Sequence, residues 1–502
     1  MWVAKAALAS GAPDPRGTNR MDRAISWRAM VARNVKLCPK RARRNPALFQ
    51  TGTGATIGGT RIGRVSMSIP IWQMTDAAPR AEFRTRLPGR TARRSQAASP
   101  MQASTCAGVI VDFVGPEAAD ALRPAWRDLA ERALEPNVFF EPAFALAAAR
   151  HLTKRRPLFA VAWEGREPGS QGRLIGVWPV QSHSSPLAPA FVQGWRHAHT
   201  ALGLPILDRL RAEAAADALL GAIAQRFRNR HVVLIPQTPH GGPTYRLLVA
   251  HALATGRVWD EMSAHSRAAL LSPGEAAPAR DTLPPRRRKE LARLRRRLAD
   301  EGAVAFGSAR TPDEVRNATE QFLVLEQGGW KGARRTSFLS DPANAAFLRS
   351  ALRLMAREGK CRIDALTVDG RPVAMGIVLN SRDRAYFWKT SFDERFARFS
   401  PGVQLAQELT RRQGDEGVTH TDSCAIADHP MIDRLWPGRL DIVDFALAAT
   451  PGSNRAARRA IGMERLRRAV RAWAKRAALA ARDGLAQLRT AKRPLRDADA
   501  SP

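Results

Sequence analysis

A chain of 502 residues, 44% of them apolar, is long enough for two or three domains and too apolar to be wholly disordered. The net charge of +34 invites a nucleic-acid reading, but residues 1–100 carry 19 Lys/Arg against 4 Asp/Glu and residues 455–502 carry 14 against 4, so the ends hold +15 and +10 and only +9 remains for residues 101–454. A body built for nucleic acid is therefore not expected, and no stretch approaches the ~20 consecutive apolar residues of a membrane helix.

Residues 1–104 mix Arg, Gly, Thr and Pro without sustained periodicity, which predicts a basic, disordered extension. Its first residues, MWVAKAALASGA, imitate a signal peptide, but the apolar run is too short, and a cytoplasmic location is expected. Met67, Met74 and Met101 lie downstream, so a later native start is expected. Cys38, Cys106, Cys361 and Cys424 show neither CxxC pairing nor His partners at zinc-ligand spacing, so a reducing compartment and no metal are expected.

Order is predicted from Val109. VIVDFV reads as a strand, and Gly115-Pro116-Glu117 opens a helix with proline at its first position, followed by a second helix over Glu141–His151. LFAVAWEG from Leu158 and LIGVWPVQ from Leu174 read as two strands. The second half repeats the order. Val304–Gly307 is strand-like, Thr311-Pro312-Asp313-Glu314 is a capping box, and a helix over Pro342–Glu358 stops at Gly359. RIDALTV, Asp369-Gly370 and PVAMGIVLN read as a hairpin, and AYFWKTS adds a third strand. Between the halves, Pro273, Pro278, Pro284 and Pro285 mark a linker, and RRRKELARLRRRL follows as a basic helix docked by Leu291, Leu294 and Leu298, with a phosphate-binding role as the alternative.

The stretch YFWKTSFDERFARFSPGVQL, Tyr386–Leu405, is a strand that turns into a helix. Ser400 is placed as the N-cap, Pro401 fits the first helical position, and Gly402 lets another molecule approach the backbone. The amides of Gly402, Val403 and Gln404, at the positive end of the helix dipole, form a site for phosphate beside Arg395 and Arg398. A further strand is expected over Val418–Ser423.

This stretch resembles the acyl-CoA-binding segment of the GNAT superfamily. LEQGGWKG (325–332), FWKTSFDERFARFSPGVQL (387–405) and DSCAIADHPMIDRLWPGRL (422–440) are similar to segments of the CelD-like (BcsL) acetyltransferases associated with bacterial cellulose biosynthesis, and the duplicated order resembles the tandem FemABX transferases. Two departures stand out. Arg398-Phe399-Ser400-Pro401-Gly402 matches the family's phosphate turn only loosely, and Arg335 stands where the resemblance implies glycine.

The resemblance implies an α/β fold of tandem GNAT-like domains, with mixed sheets flanked by helices. The expected boundaries are 105–262 for the first domain, 263–285 for the linker, 286–450 for the acetyltransferase domain and 451–502 for a basic helical tail. It implies transfer of an acetyl or other acyl group from acetyl-CoA or another acyl-CoA to an amine or hydroxyl acceptor. The acceptor could be polysaccharide- or lipid-linked. Arg398, Ser400, Gly402, Val403 and Gln404 are the expected cofactor-binding residues. Direct attack on a thioester needs positioning and oxyanion stabilisation rather than a nucleophilic residue, and Cys424 reads as a buried thiol. Asp422 is the first candidate general base, with capping of the following loop as its alternative. Glu326, closing the helix before Gly328-Gly329-Trp330-Lys331-Gly332, and Lys389, beside Trp388, complete the catalytic candidates, with His420, Asp393 and His429 behind them. An aminoacyl-tRNA-dependent transferase and a non-catalytic binding protein are the rival readings. In the tail, Leu466, Val470, Trp473 and Ala477 share one face of a basic amphipathic helix, for which residues 458–489 suggest either an anionic membrane surface or the protein's own core.

Overall fold

The structure, a computed structural model, describes residues 108–152, 156–165, 172–185, 188–271, 283–413 and 418–491. The expected N-terminal extension up to residue 104, Cys38, Cys106, the candidate start methionines and residues 272–282 of the proline-containing linker lie outside the described residues.

The first half runs β1 (Val109–Val114), α1 (Pro116–Asp120), α2 (Arg123–Glu131), α3 (Pro142–His151), β2 (Leu158–Glu164), β3 (Arg173–Ser185), β4 (Ala188–Gly194), β5 (Ile206–Leu207), α4 (Ala212–Arg226), β6 (Val232–Pro239), α5 (Pro243–Ala254) and β7 (Trp259–Leu271). The single helix expected after Gly115 is therefore two. The second half runs α6 (Pro285–Ala299), β8 (Val304–Ala309), α7 (Pro312–Gly328), α8 (Trp330–Ala333), α9 (Pro342–Arg357), β9 (Cys361–Val368), β10 (Arg371–Ser381), β11 (Arg384–Phe392), α10 (Pro401–Gln413), β12 (His420–Asp422) and β13 (Gly438–Ala448), and α11 (Asn454–Ala491) follows. None of the described helices is long and apolar enough to cross a membrane.

The local signals explain these ends. Thr311 Oγ1 accepts from the Glu314 amide at 3.3 Å while Glu314 Oε2 accepts from the Thr311 amide at 3.2 Å, so the capping box is complete. Gly359, at φ 68°, ends α9, and the β9–β10 hairpin turns through Asp369 and Gly370 at φ 48° and 75°. On α6, Leu291, Leu294 and Leu298 are buried, and Leu298 packs against Leu366, Phe399 and Leu405, which is the docked surface helix the leucines predict.

The described strands form one mixed sheet of thirteen. Twelve lie in the order β1-β2-β3-β4-β6-β13-β7-β12-β11-β10-β9-β8, with β5 on β3. In each half an antiparallel run ends in a parallel pair, β4 with β6 and β11 with β12. The last strand of each half then crosses over. β7 pairs antiparallel with β12, and β13 with β6 and β7, so the two halves exchange strands. Ser263–Leu271 are consequently strand rather than linker.

The exchange is reinforced by polar contacts between halves. Lys360 donates to Glu131 and Glu141 at 2.7 Å each, Ser381 Oγ donates to Glu141, and the Tyr386 hydroxyl donates to the Pro136 carbonyl at 3.0 Å. Glu141 and Tyr386 are almost fully buried, so losing either partner would strand a polar group away from water. This holds the end of β11 at a fixed place against the first half.

Candidate active site

β11 leads into the turn that the sequence singles out. Residues 394–399 form a 3-10 turn started by Asp393, whose carboxylate accepts from the Arg395 amide at 3.0 Å and pairs with its guanidinium. Ser400 directly precedes the helix that starts at Pro401, as expected of the N-cap, but without the extended backbone usual there. It lies in the left-handed region at φ 53°, ψ 51°, and closes the turn. Pro401 opens α10 as predicted.

The expected row of free amides is reduced. Val403 N–H and Gln404 N–H both donate to the Ser400 carbonyl, at 3.0 and 3.2 Å, and the buried Gln404 side chain donates to the Phe399 carbonyl at 2.9 Å. Gln404 therefore braces the turn from inside. Of the three residues, Gly402 alone keeps its N–H off that carbonyl. A Cβ on Gly402 would meet Met431 Sδ at 3.5 Å and Phe392 at 3.8 Å, ordinary contacts that the fold would tolerate. Arg398 stacks on Phe399 at 4.6 Å and pairs with Glu301 at 2.7 Å, and Arg297 of α6 lies 5.9 Å from the same ring. The Arg398–Glu301 pair is exposed, so little energy opposes its exchange for another anion.

The other end of the site lies where β11 and β12 part. Their parallel pairing ends at Tyr386↔Asp422, and a register shift sets Ile377 of β10 opposite Lys389 while Val378 faces Phe387, so β11 bulges at Trp388. Trp388 Nε1 donates to the His199 carbonyl at 3.0 Å. His199, from the first half, is stacked on Phe338 and Phe347 with centroids 4.8 and 5.4 Å away, and Phe144 meets Trp388 at 5.4 Å. His197 packs on Trp195 at 4.8 Å. Burial, aided by the nearby Lys389 charge, pushes the imidazoles of His197 and His199 down to about 3 and about 2, so both are neutral at physiological pH. His197 Nε2 and His199 Nδ1 are buried without a hydrogen-bond partner among the described residues, while His199 Nε2 lies 2.8 Å from Asn344 Oδ1.

Lys389 borders this cluster, with Nζ 5.3 Å from the Trp388 ring and 5.9 Å from that of Phe338. Among the described residues it has no carboxylate within ion-pair distance. Burial, and then the Lys331 charge, lower its ammonium to about 8. The other two catalytic candidates are fully engaged. Glu326 accepts from Lys331 Nζ at 2.7 Å and from the Phe338 amide at 2.8 Å, which ties α7 to the loop bearing Phe338. Asp422 accepts from Arg267 at 2.6 Å and from the Cys424 amide at 2.8 Å, so it caps the loop after β12 within a buried ion pair. Burial raises the Cys424 thiol well above its usual range, in keeping with an unreactive thiol. His420 lies in β12, and His429 Nδ1 accepts from the Met431 and Ile432 amides as a loop cap.

The LEQGGWKG stretch is the last turn of α7, Gly329 and the start of the short helix α8. A Cβ on Gly332 would sit 1.8 Å from the Gln327 carbonyl oxygen, so glycine is required there by close packing on α7. Arg335 has φ 56°, a backbone that suits the glycine the resemblance implied. Sequence reading missed His197, His199 and Arg267. RHAHT carries no periodic signal, and the partners of His199 and Arg267, namely Phe338, Phe347 and Asp422, lie far along the chain.

Comparison with known proteins gives a family match for the second half of the chain. Residues 285–429 match the acetyltransferase (GNAT) domain model, a span that runs from α6 through β11, the turn, α10 and β12. No curated protein matches the chain by sequence. Among solved structures, the chain is similar to FemX at 10% identity, covering 67% of this chain and 96% of that one with a TM-score of 0.42. A tandem GNAT protein from the clavulanic acid biosynthesis pathway gives 16%, 68%, 98% and 0.35. The C-terminal domain of a putative lysylphosphatidylglycerol synthetase from Agrobacterium fabrum gives 12%, 66%, 91% and 0.39. Residues 285–429 are thus similar to an acetyltransferase domain of the GNAT type.

Proposed function

We propose that the chain is an acyltransferase that moves an acetyl or other acyl group from acyl-CoA to an amine or hydroxyl acceptor, in cellulose or exopolysaccharide production. The observation that carries the reading is the position of the GNAT match, which spans the parallel β11–β12 pair, its separation beyond Tyr386↔Asp422, and the Pro401–Gly402 helix start. The acyl-CoA pyrophosphate lies at the Gly402 amide with Arg398 beside it, and Ser400, Val403 and Gln404 hold that turn in shape. Its thioester lies along β11 near the bulge at Trp388, where the strand is no longer paired with β12.

Transfer proceeds by direct attack of the acceptor on the thioester carbonyl, with the thiolate leaving and one proton lost from the acceptor. Of the three catalytic candidates, Lys389 has no fixed carboxylate partner, and a pKa of about 8 leaves a usable fraction of neutral amine to take that proton. Glu326 and Asp422 act as positioning residues through Lys331 and Arg267. The polysaccharide setting rests on the resemblance of LEQGGWKG and DSCAIADHPMIDRLWPGRL to CelD-like enzymes. An aminoacyl-tRNA donor is the second reading, favoured by the basic outer face of α6.

Calorimetric titration of acetyl-CoA into the full chain tests the donor. Binding is expected for the unaltered chain and for Lys389→Met, and is lost in Gly402→Glu, whose charge repels phosphate, with circular dichroism confirming that the variant is folded. Thiol release in the presence of candidate acceptors should fall in Lys389→Met. No acetyl-CoA binding by the unaltered chain, together with salt-sensitive binding of tRNA, would turn the reading to the second donor.

A further inference from the structure

The surroundings of α11 divide it into two parts. Ala457, Ala460, Ile461 and Glu464 are buried, the three apolar ones in a cluster with Phe191, Val232, Leu234, Ala446 and Ala448. Arg465 and Arg468 fasten the same stretch to Asp260 at 2.5 Å and Asp444 at 2.7 Å. At about 100° per residue, these four buried positions share one arc of the helix. Met463, Leu466, Val470 and Trp473 fall in an arc of about 80° on the far side. They are 53%, 66%, 54% and 68% exposed. From Ala469 to Ala478 every residue is exposed except Ala472, which is half-buried, so the helix has left the body of the protein while the stripe continues. The protein's own core, one of the two destinations the sequence allows, takes the other face.

The charge on the helix selects the occupant of the stripe. Residues 454–491 carry 11 Lys/Arg against 2 Asp/Glu. Two such helices brought face to face would meet as like charges, which disfavours a second copy. An apolar stripe that includes a tryptophan has no use for a polyphosphate backbone alone. A surface with apolar depth beneath an anionic rim satisfies both features. We infer that α11 binds the surface of an anionic lipid bilayer, with Met463, Leu466, Val470 and Trp473 entering the acyl boundary and the flanking arginines meeting lipid headgroups. The inference is independent of the acyl-transfer reading, since no residue of α11 belongs to that site.

The experiment is co-sedimentation of the full chain with phosphatidylcholine vesicles made with or without phosphatidylglycerol. Because basic residues elsewhere in the chain also attract anionic vesicles, the informative variant is Leu466→Ser/Trp473→Ser, which leaves every charge in place. Both positions are exposed, so the fold should be unaffected, as circular dichroism would confirm. Binding to the anionic vesicles is expected to fall at least ~tenfold in this variant, from the loss of two buried apolar side chains. Leu253→Ser/Val324→Ser, at exposed apolar positions elsewhere, should bind like the unaltered chain. The inference is overturned if the unaltered chain ignores anionic vesicles, or if Leu466→Ser/Trp473→Ser binds as well as it does. It is also overturned if that variant instead loses a dimer seen by light scattering, or loses RNA affinity while the unaltered chain binds no vesicles.

Discussion

Replacing Asp422 with alanine would remove one half of the Arg267–Asp422 pair, whose side chains are 2% and 1% exposed. Among the described residues the Arg267 side chain would keep a single hydrogen bond, Nη2 to the Ala201 carbonyl at 3.2 Å, and its Nε already lacks a partner. Leaving a buried guanidinium uncompensated costs about 3–5 kcal/mol. The Cys424 amide would also lose its acceptor, worth about 1 kcal/mol more. Because Arg267 lies in β7 and Asp422 in β12, the damage falls where the two halves exchange strands. Arg267→Met together with Asp422→Ala removes both charges and should recover most of the loss, because apolar replacement of a buried pair is often neutral or stabilising. The assay is guanidinium unfolding of the full chain followed by tryptophan fluorescence. A cost below about 1 kcal/mol for Asp422→Ala, or a double variant no more stable than the single one, would refute the reasoning. Asp422→Asn supplies the catalytic counterpart: full stability with lost turnover would reinstate Asp422 as the general base.

Two further outcomes are expected. His197 and His199 are neutral when folded, with values near 3 and 2, but titrate near 6.5 when unfolded, so below pH 6.5 the unfolded chain binds protons that the folded chain refuses. Stability should therefore fall as pH drops from 6.5 towards 3, and replacing both histidines with phenylalanine should flatten that slope in denaturant titrations; an unchanged slope would refute the assignment. Arg335→Gly and Ser400→Gly each relieve a left-handed backbone at φ 56° and 53° and should stabilise by up to about 1 kcal/mol in the same unfolding assay, the gain being partly offset by glycine's greater freedom when unfolded. A loss of stability in both would mean that the side chains make contacts worth more than the strain.

Sequence by itself determined the elements whose causes are local. The Thr311 capping box, the Asp369-Gly370 hairpin turn, Pro401 at a helix start and the leucine stripe of α6 each follow from a few adjacent residues, so their signals survive without any knowledge of neighbours. The duplicated order was legible for the same reason, and so was the strand-turn-helix at Tyr386–Leu405. Only the tertiary structure decided what closes between distant segments. The exchange of β7 and β13, the capture of Asp422 by Arg267 155 residues away, the stacking of His199 on Phe338 and Phe347, and the side of α11 that remains outward all depend on packing. Even Ser400, whose place at the turn was foreseen, took a left-handed backbone where an ordinary N-cap was expected. Local preferences are set within a turn or two of chain, whereas the state of a buried carboxylate or imidazole depends on which charges and rings surround it, and folding brings those from both halves.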